Sequence, residues 1–364
     1  MFEQRQHTRR RFFGLAALSL GAAWIGTRDS VIRSVTVAPF RPSSARDLAS
    51  LGRATAWLNS DPLVAADCEG KVVLVDFCTY TCINWLRTVP YVRAWADRYK
   101  AQGLVVIGVH TPEFRFEEDV DNVHRATKER GITYPIAIDN DRAIWGGFGN
   151  RYWPALYFID AAGRVRGHHF GEGKYEESEA RIRQLLGAAG RRDGSEVRSV
   201  SLEVHGPEVG ADWRSLKSSE TYIGYRKANH FASPSGAAVN RRHSYAFPRR
   251  LRLNYWALAG EWTLKGDAAL LNTAGGRIAY RFHARDLHLI MGPAARRVGV
   301  PFRVSIDGRP PGADHGSDVD DQGHGIVTEQ RLYQLIRQSA PITDRSFEIE
   351  FLEPGVEAFA FTFG

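Results

Sequence analysis

Cysteine is scarce in this chain: Cys68, Cys78 and Cys82 are the only three among 364 residues. An odd number so closely spaced is too few for a disulfide framework and leaves at least one thiol free or transiently paired. Long apolar runs are also missing. The N-terminal one ends near Gly26 after about 14 residues, short of the roughly 20 that span a bilayer comfortably. One-sided charge is lacking too. The net charge is +7, but residues 1–28 carry five arginines against Glu3 alone, which leaves +3 for everything after them. So small an excess sets nucleic-acid binding aside. Metal-binding patterns are absent. His168 and His169 fall in a strand-like stretch that points them to opposite faces. The aspartates of "GADHGSDVDDQGHG" (Asp314, Asp318, Asp320, Asp321) lack the spacing of a calcium loop and read as a solvated turn. No metal or cofactor is expected.

What is present begins with "TRRRFFGLAALSLGAAWIG", a basic stretch running straight into a short apolar one. This is the pattern of an export signal of the twin-arginine type, spanning residues 1–27. No A-x-A cleavage site follows, so retention as a short anchor stays open. Export predicts a periplasmic or extracytoplasmic location, where thiols oxidise unless they are kept reduced. Apolar content of 43% and charged content of 24% are those of a globular protein, and the length allows two domains.

Residues 28–50, with Pro39, Pro42 and "SSAR", read as a linker. Over 51–190 strand-like and helix-like segments alternate. "KVVLVDF" is a continuous apolar run of the buried-strand kind. "INWLRTVPYVRAWADRYKAQG" has helical spacing and stops at Gly103. "LVVIGV", "YPIAID", "ALYFID" and "VRGHHF" are strands, while 117–131 and 175–190 are helices. This order predicts a mixed sheet covered by helices. After the polar stretch 190–199, helical periodicity nearly vanishes. From 200 to 364, short strands alternate with Gly, Pro and Asp-Gly turns, which predicts an all-β, jelly-roll-like sandwich. Its aromatics (Trp213, Trp256, Trp262, Tyr222, Tyr225, Tyr255) are expected mainly in the core, with stacking on a glycan as the alternative.

The stretch "DFCTYTCINW" follows the first buried strand. With "GLVVIGVHTPEF" and "WPALYFID" in the same order, it resembles a thioredoxin fold of the TlpA/ResA type. "TYTCIN", "HTPEF", "NRYWPA" and "FGEG" are similar to the extracytoplasmic part of DipZ-type proteins. That likeness continues through "ETYIGY", "DGRPPG", "HGSDVDDQGHG" and "RLYQLIRQ", covering roughly residues 55–364. Such proteins pair a thioredoxin-like domain with a sandwich similar to carbohydrate-binding modules. The multi-helix membrane domain fused in DipZ proteins is not in this sequence.

The resemblance implies roles position by position. Cys82 matches the first cysteine of the family's C-x-x-C, at a helix start where N–H groups favour a thiolate. Pro154 matches the cis-proline facing it, with Trp153 and Thr81 on the substrate side. Glu113 matches the acid placed beside the thiols, and Asp76 the buried acid of a proton relay. Two positions depart from the pattern: Trp85 stands where the resolving cysteine belongs, and Cys78 where tryptophan is usual. Cys78 could pair with Cys82 only across a tight turn. Cys68 lies before the strand, about 20 Å or more from the site at ~3.3 Å per residue, and reads as a bystander. His110 is expected to satisfy a local hydrogen bond.

The implied activity is thiol–disulfide exchange with protein thiols or disulfides of the cell envelope. Cys78 would resolve Cys82, or Cys82 would act alone with an external thiol reductant. Two alternatives stand beside it: a catalytically silent binding protein, and a peroxidase suggested by Thr79-x-x-Cys82. Against the peroxidase, Val75 and Pro154 occupy the positions where a peroxidatic proline and arginine would be expected.

Overall fold

The computed structural model describes residues 46–191, 200, 202–295 and 299–364. The proposed signal and most of the 190–199 stretch lie outside these residues. The expected linker is already folded from Arg46. Helix α1 (Arg46–Ala49) and a 3-10 turn over Ser50–Arg53 bury Leu48 and Leu51, whose spacing puts them on one face.

The first lobe contains β1 (Ala56–Leu58), β2 (Val72–Cys78), α2 (Ile83–Tyr99), β3 (Leu104–His110), α3 (Val120–Glu129), β4 (Ile136–Ile138), α4 (Ala143–Gly147), β5 (Ala155–Ile159), β6 (Val165–Phe170) and α5 (Tyr175–Ala188). The sheet order is β1-β4-β3-β2-β5-β6, parallel from β4 to β2 and antiparallel elsewhere. Strand β2 is buried along its whole length because both faces are covered. Val73, Val75 and Phe77 enter one apolar cluster with Ile107, Val109 and Ile144. Leu74 and Cys78 enter the other, beneath α2. Helix α2 turns Trp85, Leu86, Val89, Val92, Trp95 and Tyr99 inward at spacings of three and four. The chain leaves this helix through Gly103, whose left-handed φ of 90° suits glycine.

The second lobe is all antiparallel: β7 (Thr221–Tyr222), β8 (Arg242–Tyr245), β9 (Trp256–Leu264), β10 (Ala269–Leu271), β11 (Gly276–Phe282), β12 (Asp286–Pro293), β13 (Val300–Ile306), β14 (His324–Val327), β15 (Arg331–Arg337), β16 (Arg345–Phe351) and β17 (Val356–Phe363). They form one curled sheet in the order β14-β13-β16-β11-β9-β10-β17-β12-β15, with β7 on β17 and β8 on β9. Strand β9 is the corner. Ala257–Ala259 pair with β11, and Trp262–Leu264 pair with β10. The turn between them is made at Gly260, where φ is 89° and a side chain would press on the backbone of Gly276. Trp256 and Trp262 lie in the core, whereas Trp213 is exposed. The aspartate-rich turn is tied down by protein: Asp318 accepts from Arg331 (2.7 Å), and Asp314 from the Ser339 amide (2.8 Å) and Arg345 (3.2 Å).

Both lobes fall within one compact unit, Pro42–Gly364, and they share an apolar layer. Strands β12, β15 and β17 send one face into their own core and the other, through Ile290, Leu332, Phe359 and Ala360, against the first lobe. The Phe359 ring lies 5.4 Å from Phe114 and 4.7 Å from Phe116. Polar ties surround this layer: Tyr80 donates to the Gln330 carbonyl at 3.0 Å, and Arg125 pairs with Glu329. Truncating the ring as Phe359→Ala should cost about 3–5 kcal/mol of stability, read as a lower midpoint in urea. A loss below about 1 kcal/mol would show that the ring is not part of a close-packed layer.

Candidate active site

Side chains alternate along β2, so Asp76 and Cys78 share the face under α2. The strand ends at Cys78, whose carbonyl accepts from the Thr111 amide beyond β3 (2.9 Å). A tight turn follows, closed by the Cys82 amide donating to the Thr79 carbonyl at 3.1 Å. Cys82 is the N-cap of α2, and its carbonyl accepts from Leu86. All three cysteines are free thiols. Cys82 is half-buried and Cys78 fully buried, while Cys68 packs in the cluster on the opposite face of β2.

The expected activation of Cys82 is reversed. Desolvation pushes its thiol well above the ordinary range, opposed by the backbone N–H groups of Trp85 and Asn84 and reinforced by Glu220 and Glu113. The helix start does favour the thiolate, but burial and two acids outweigh it. Burial also raises Cys78, with further upward pushes from Asp76, Glu117 and Cys82.

Trp85 lies on the first turn of α2. It is buried, and its indole Nε1 donates to Asp76 Oδ2 at 3.0 Å. Asp76 is 0% exposed and its Oδ1 has no hydrogen-bond partner among the described residues. Burial raises its carboxyl to about 7, moderated by the indole. Asp76 can therefore exchange a proton near neutrality, beside Cys78 rather than beside a helix cysteine.

Glu113 acts on the Cys82 thiol and is also held by the second lobe. Its carboxylate accepts from the Tyr222 hydroxyl at 2.5 Å and pairs with Lys227 at 3.3 Å, both from the second lobe. A cleft of about 10 Å³ lies beside it, lined by Glu113, Phe114, Tyr222 and Lys227, room for about one water. Thr81 is fully buried, and its hydroxyl donates to Glu117 at 2.6 Å. Glu117 itself escaped the sequence reading. It is fully buried, with its carboxyl raised by desolvation against several hydrogen bonds. Its spacing from the neighbouring acids carries no signal that would have flagged it.

The Trp153–Pro154 bond is cis. Phe77 pairs with Ala155, so Pro154 adjoins the C-terminal end of β2. Pro154 is buried and Trp153 half-buried, with the Trp153 ring 4.4 Å from Trp145. His110 pairs with Cys78 across β2 and β3 and stacks at 5.8 Å on Tyr80. Among the described residues neither ring nitrogen finds a partner on another residue, and burial lowers it to about 3, which keeps it neutral. A contact with its own backbone opposes the burial, and the ring is otherwise held by aromatic packing.

Asp76 sets a pH dependence. Its carboxyl is higher in the folded chain (about 7) than its ordinary 3.8, so the folded state holds the proton where the unfolded state has lost it. Its contribution is fully present below about pH 4 and is lost as pH rises to about 7. Buried His110 acts in the opposite direction, so the comparison must be with Asp76→Asn. Relative to that variant, the wild type should lose about 4 kcal/mol between pH 4 and 7, at ~1.4 kcal/mol per unit. Urea midpoints across this range test it, and a constant difference between the two proteins would refute it.

Residues 58–168 match the AhpC/TSA family, and residues 218–364 match the family described as thioredoxin like C-terminal domain. DipZ of Mycobacterium tuberculosis is 35% identical over 317 residues, covering 85% of this chain and 42% of DipZ. The chain thus spans less than half the length of that relative. The thiol-disulfide oxidoreductase YkuV of Bacillus subtilis is 32% identical over 133 residues, 36% of this chain and 88% of YkuV. The thiol-disulfide oxidoreductase ResA of the same organism is 24% identical over 107 residues, 29% of this chain and 57% of ResA. With a central β2–α2 edge bearing Cys82, a cis-proline beside it and these relatives, the chain belongs to the thioredoxin-like family of the TlpA/ResA type.

Proposed function

We propose that this chain is an exported thiol–disulfide oxidoreductase in which Cys82 attacks and Cys78 resolves. The observation that carries the reading is the placing of two free thiols at the two ends of one tight turn, with Cys82 close enough to bear on charge at Cys78. The Cys82 thiolate attacks one sulfur of a partner protein's disulfide. A mixed disulfide forms, and the other substrate sulfur leaves as a thiolate that takes up a proton. Cys78 then gives up its proton, for which Asp76 is the nearby acceptor, and attacks the Cys82 sulfur. This forms a Cys78–Cys82 disulfide and releases the substrate's second thiol. An external dithiol reductant, itself oxidised to a disulfide, returns both cysteines to thiols. The basic and apolar N-terminus supports an extracytoplasmic setting, where partner proteins carry disulfides.

Because burial and neighbouring acids raise the Cys82 thiol, its reaction rate should climb with pH through the neutral range rather than level off below pH 7. The peroxidase alternative is disfavoured at the same atom. The groups acting most strongly on the Cys82 sulfur include two acids and no guanidinium, whereas a peroxidatic thiol needs a cation beside it.

Reduction of a protein disulfide such as insulin's, with a dithiol reductant supplied, should fall at least about 100-fold in Cys82→Ser, since removing a nucleophile removes the covalent route. In Cys78→Ser, mixed disulfides at Cys82 should accumulate, seen as reductant-sensitive adducts on non-reducing gels. Unchanged turnover in Cys82→Ser would leave a binding protein. Turnover without trapped adducts in Cys78→Ser would shift resolution to an external thiol.

A further inference from the structure

We propose that Glu117 is a positioning residue for Cys82, one carboxylate gripping both the turn that ends in the cysteine and the loop against which the second lobe docks. Oε1 accepts from the Thr81 hydroxyl at 2.6 Å and lies 3.4 Å from the Thr81 amide. Oε2 accepts from the amides of Glu113 (2.7 Å) and Phe114 (2.9 Å). Each oxygen thus serves a different segment. Among the described residues Glu117 has no salt-bridge partner, so hydrogen-bond donors alone offset the cost of burying it. Thr81 directly precedes Cys82. Its two contacts fix the peptide plane leading into the N-cap, and with it the aim of the Asn84 and Trp85 amides at the sulfur.

The other half of the grip reaches the second lobe. Glu113 receives Tyr222 and Lys227, and the Phe114 ring meets Tyr222 at 6.2 Å and Phe359 at 5.4 Å. Displacing this loop therefore pulls on the carboxylate that holds the cysteine turn. The charged groups facing the sulfur are Glu113 from the loop and Glu220 from the second lobe, with Lys227 paired to Glu113 and the Cys78 thiol behind the turn.

This assignment rests on reading Cys82 as the attacking thiol. The test is the pH profile of Cys82 alkylation by iodoacetamide in the full chain, with Cys68 as internal control. Thr81→Val keeps the carboxylate and removes the hydroxyl. It should move the Cys82 profile upward by about half a pH unit or more as the amides lose their aim. Thr81→Ser should restore the profile, Cys68 should not respond, and Thr81→Val should add nothing in a Glu117→Ala background. If Glu117→Ala does not fold, the two Thr81 variants decide the matter alone. Coincident profiles for wild type and Thr81→Val would overturn the assignment, as would a Thr81→Ser profile displaced as far as that of Thr81→Val. Full turnover in Cys82→Ser would sink the redox reading while leaving this comparison intact, so the two failures are distinguishable.

Discussion

The apolar layer shared by the two lobes is the constraint on which the rest depends. Strands β12 and β17 bury both faces, one against the sandwich core and one against the first lobe. Had only one face been covered, their outer residues would have been polar, as Glu348 and Glu350 are on β16. The same docking brings Tyr222, Lys227 and Glu220 to the edge where Cys82 sits. It therefore determines the electrostatics of the thiol as well as the packing of the chain.

Two buried acids divide the work around the cysteines. Asp76, below the strand end, has one oxygen satisfied by the Trp85 indole and, among the described residues, one left open. It is suited to taking a proton. Glu117, above the turn, has both oxygens engaged. It is suited to holding backbone in place. The half-satisfied carboxylate is the more adaptable of the two because an open lone pair in a dry site has no better use than a proton.

Much of the architecture could be read from the chain. "KVVLVDF" is apolar without a break because β2 is covered on both sides, and "SFEIEF" alternates because β16 is covered on one. Gly103 marks the end of the first long helix region. What remained hidden depends on residues far apart in sequence. Tyr222 reaches Glu113 across 109 positions, and no local pattern announces that pairing. Glu117 is one of several acids between 113 and 121, and nothing in their spacing sets one apart. The helix-start rule correctly placed Cys82 at an N-cap but misjudged its ionisation, since desolvation dominates and one of the two opposing acids, Glu220, comes from the other lobe. The linker was drawn too long because Leu48 and Leu51 are only two apolar residues among polar ones.

The corner at Gly260 has a consequence for how the second lobe assembles. One strand belongs to both halves of the curled sheet, and no side chain fits where it bends. Neither half can complete its ladder until that shared ribbon is in place. Its own partners β8, β10 and β11 lie close to it in sequence, but the strands that pair with β10 and β11 in turn, β17 and β16, come from the far end of the chain. The lobe must therefore form as a single all-or-none event, slowed by the long loops that have to close first.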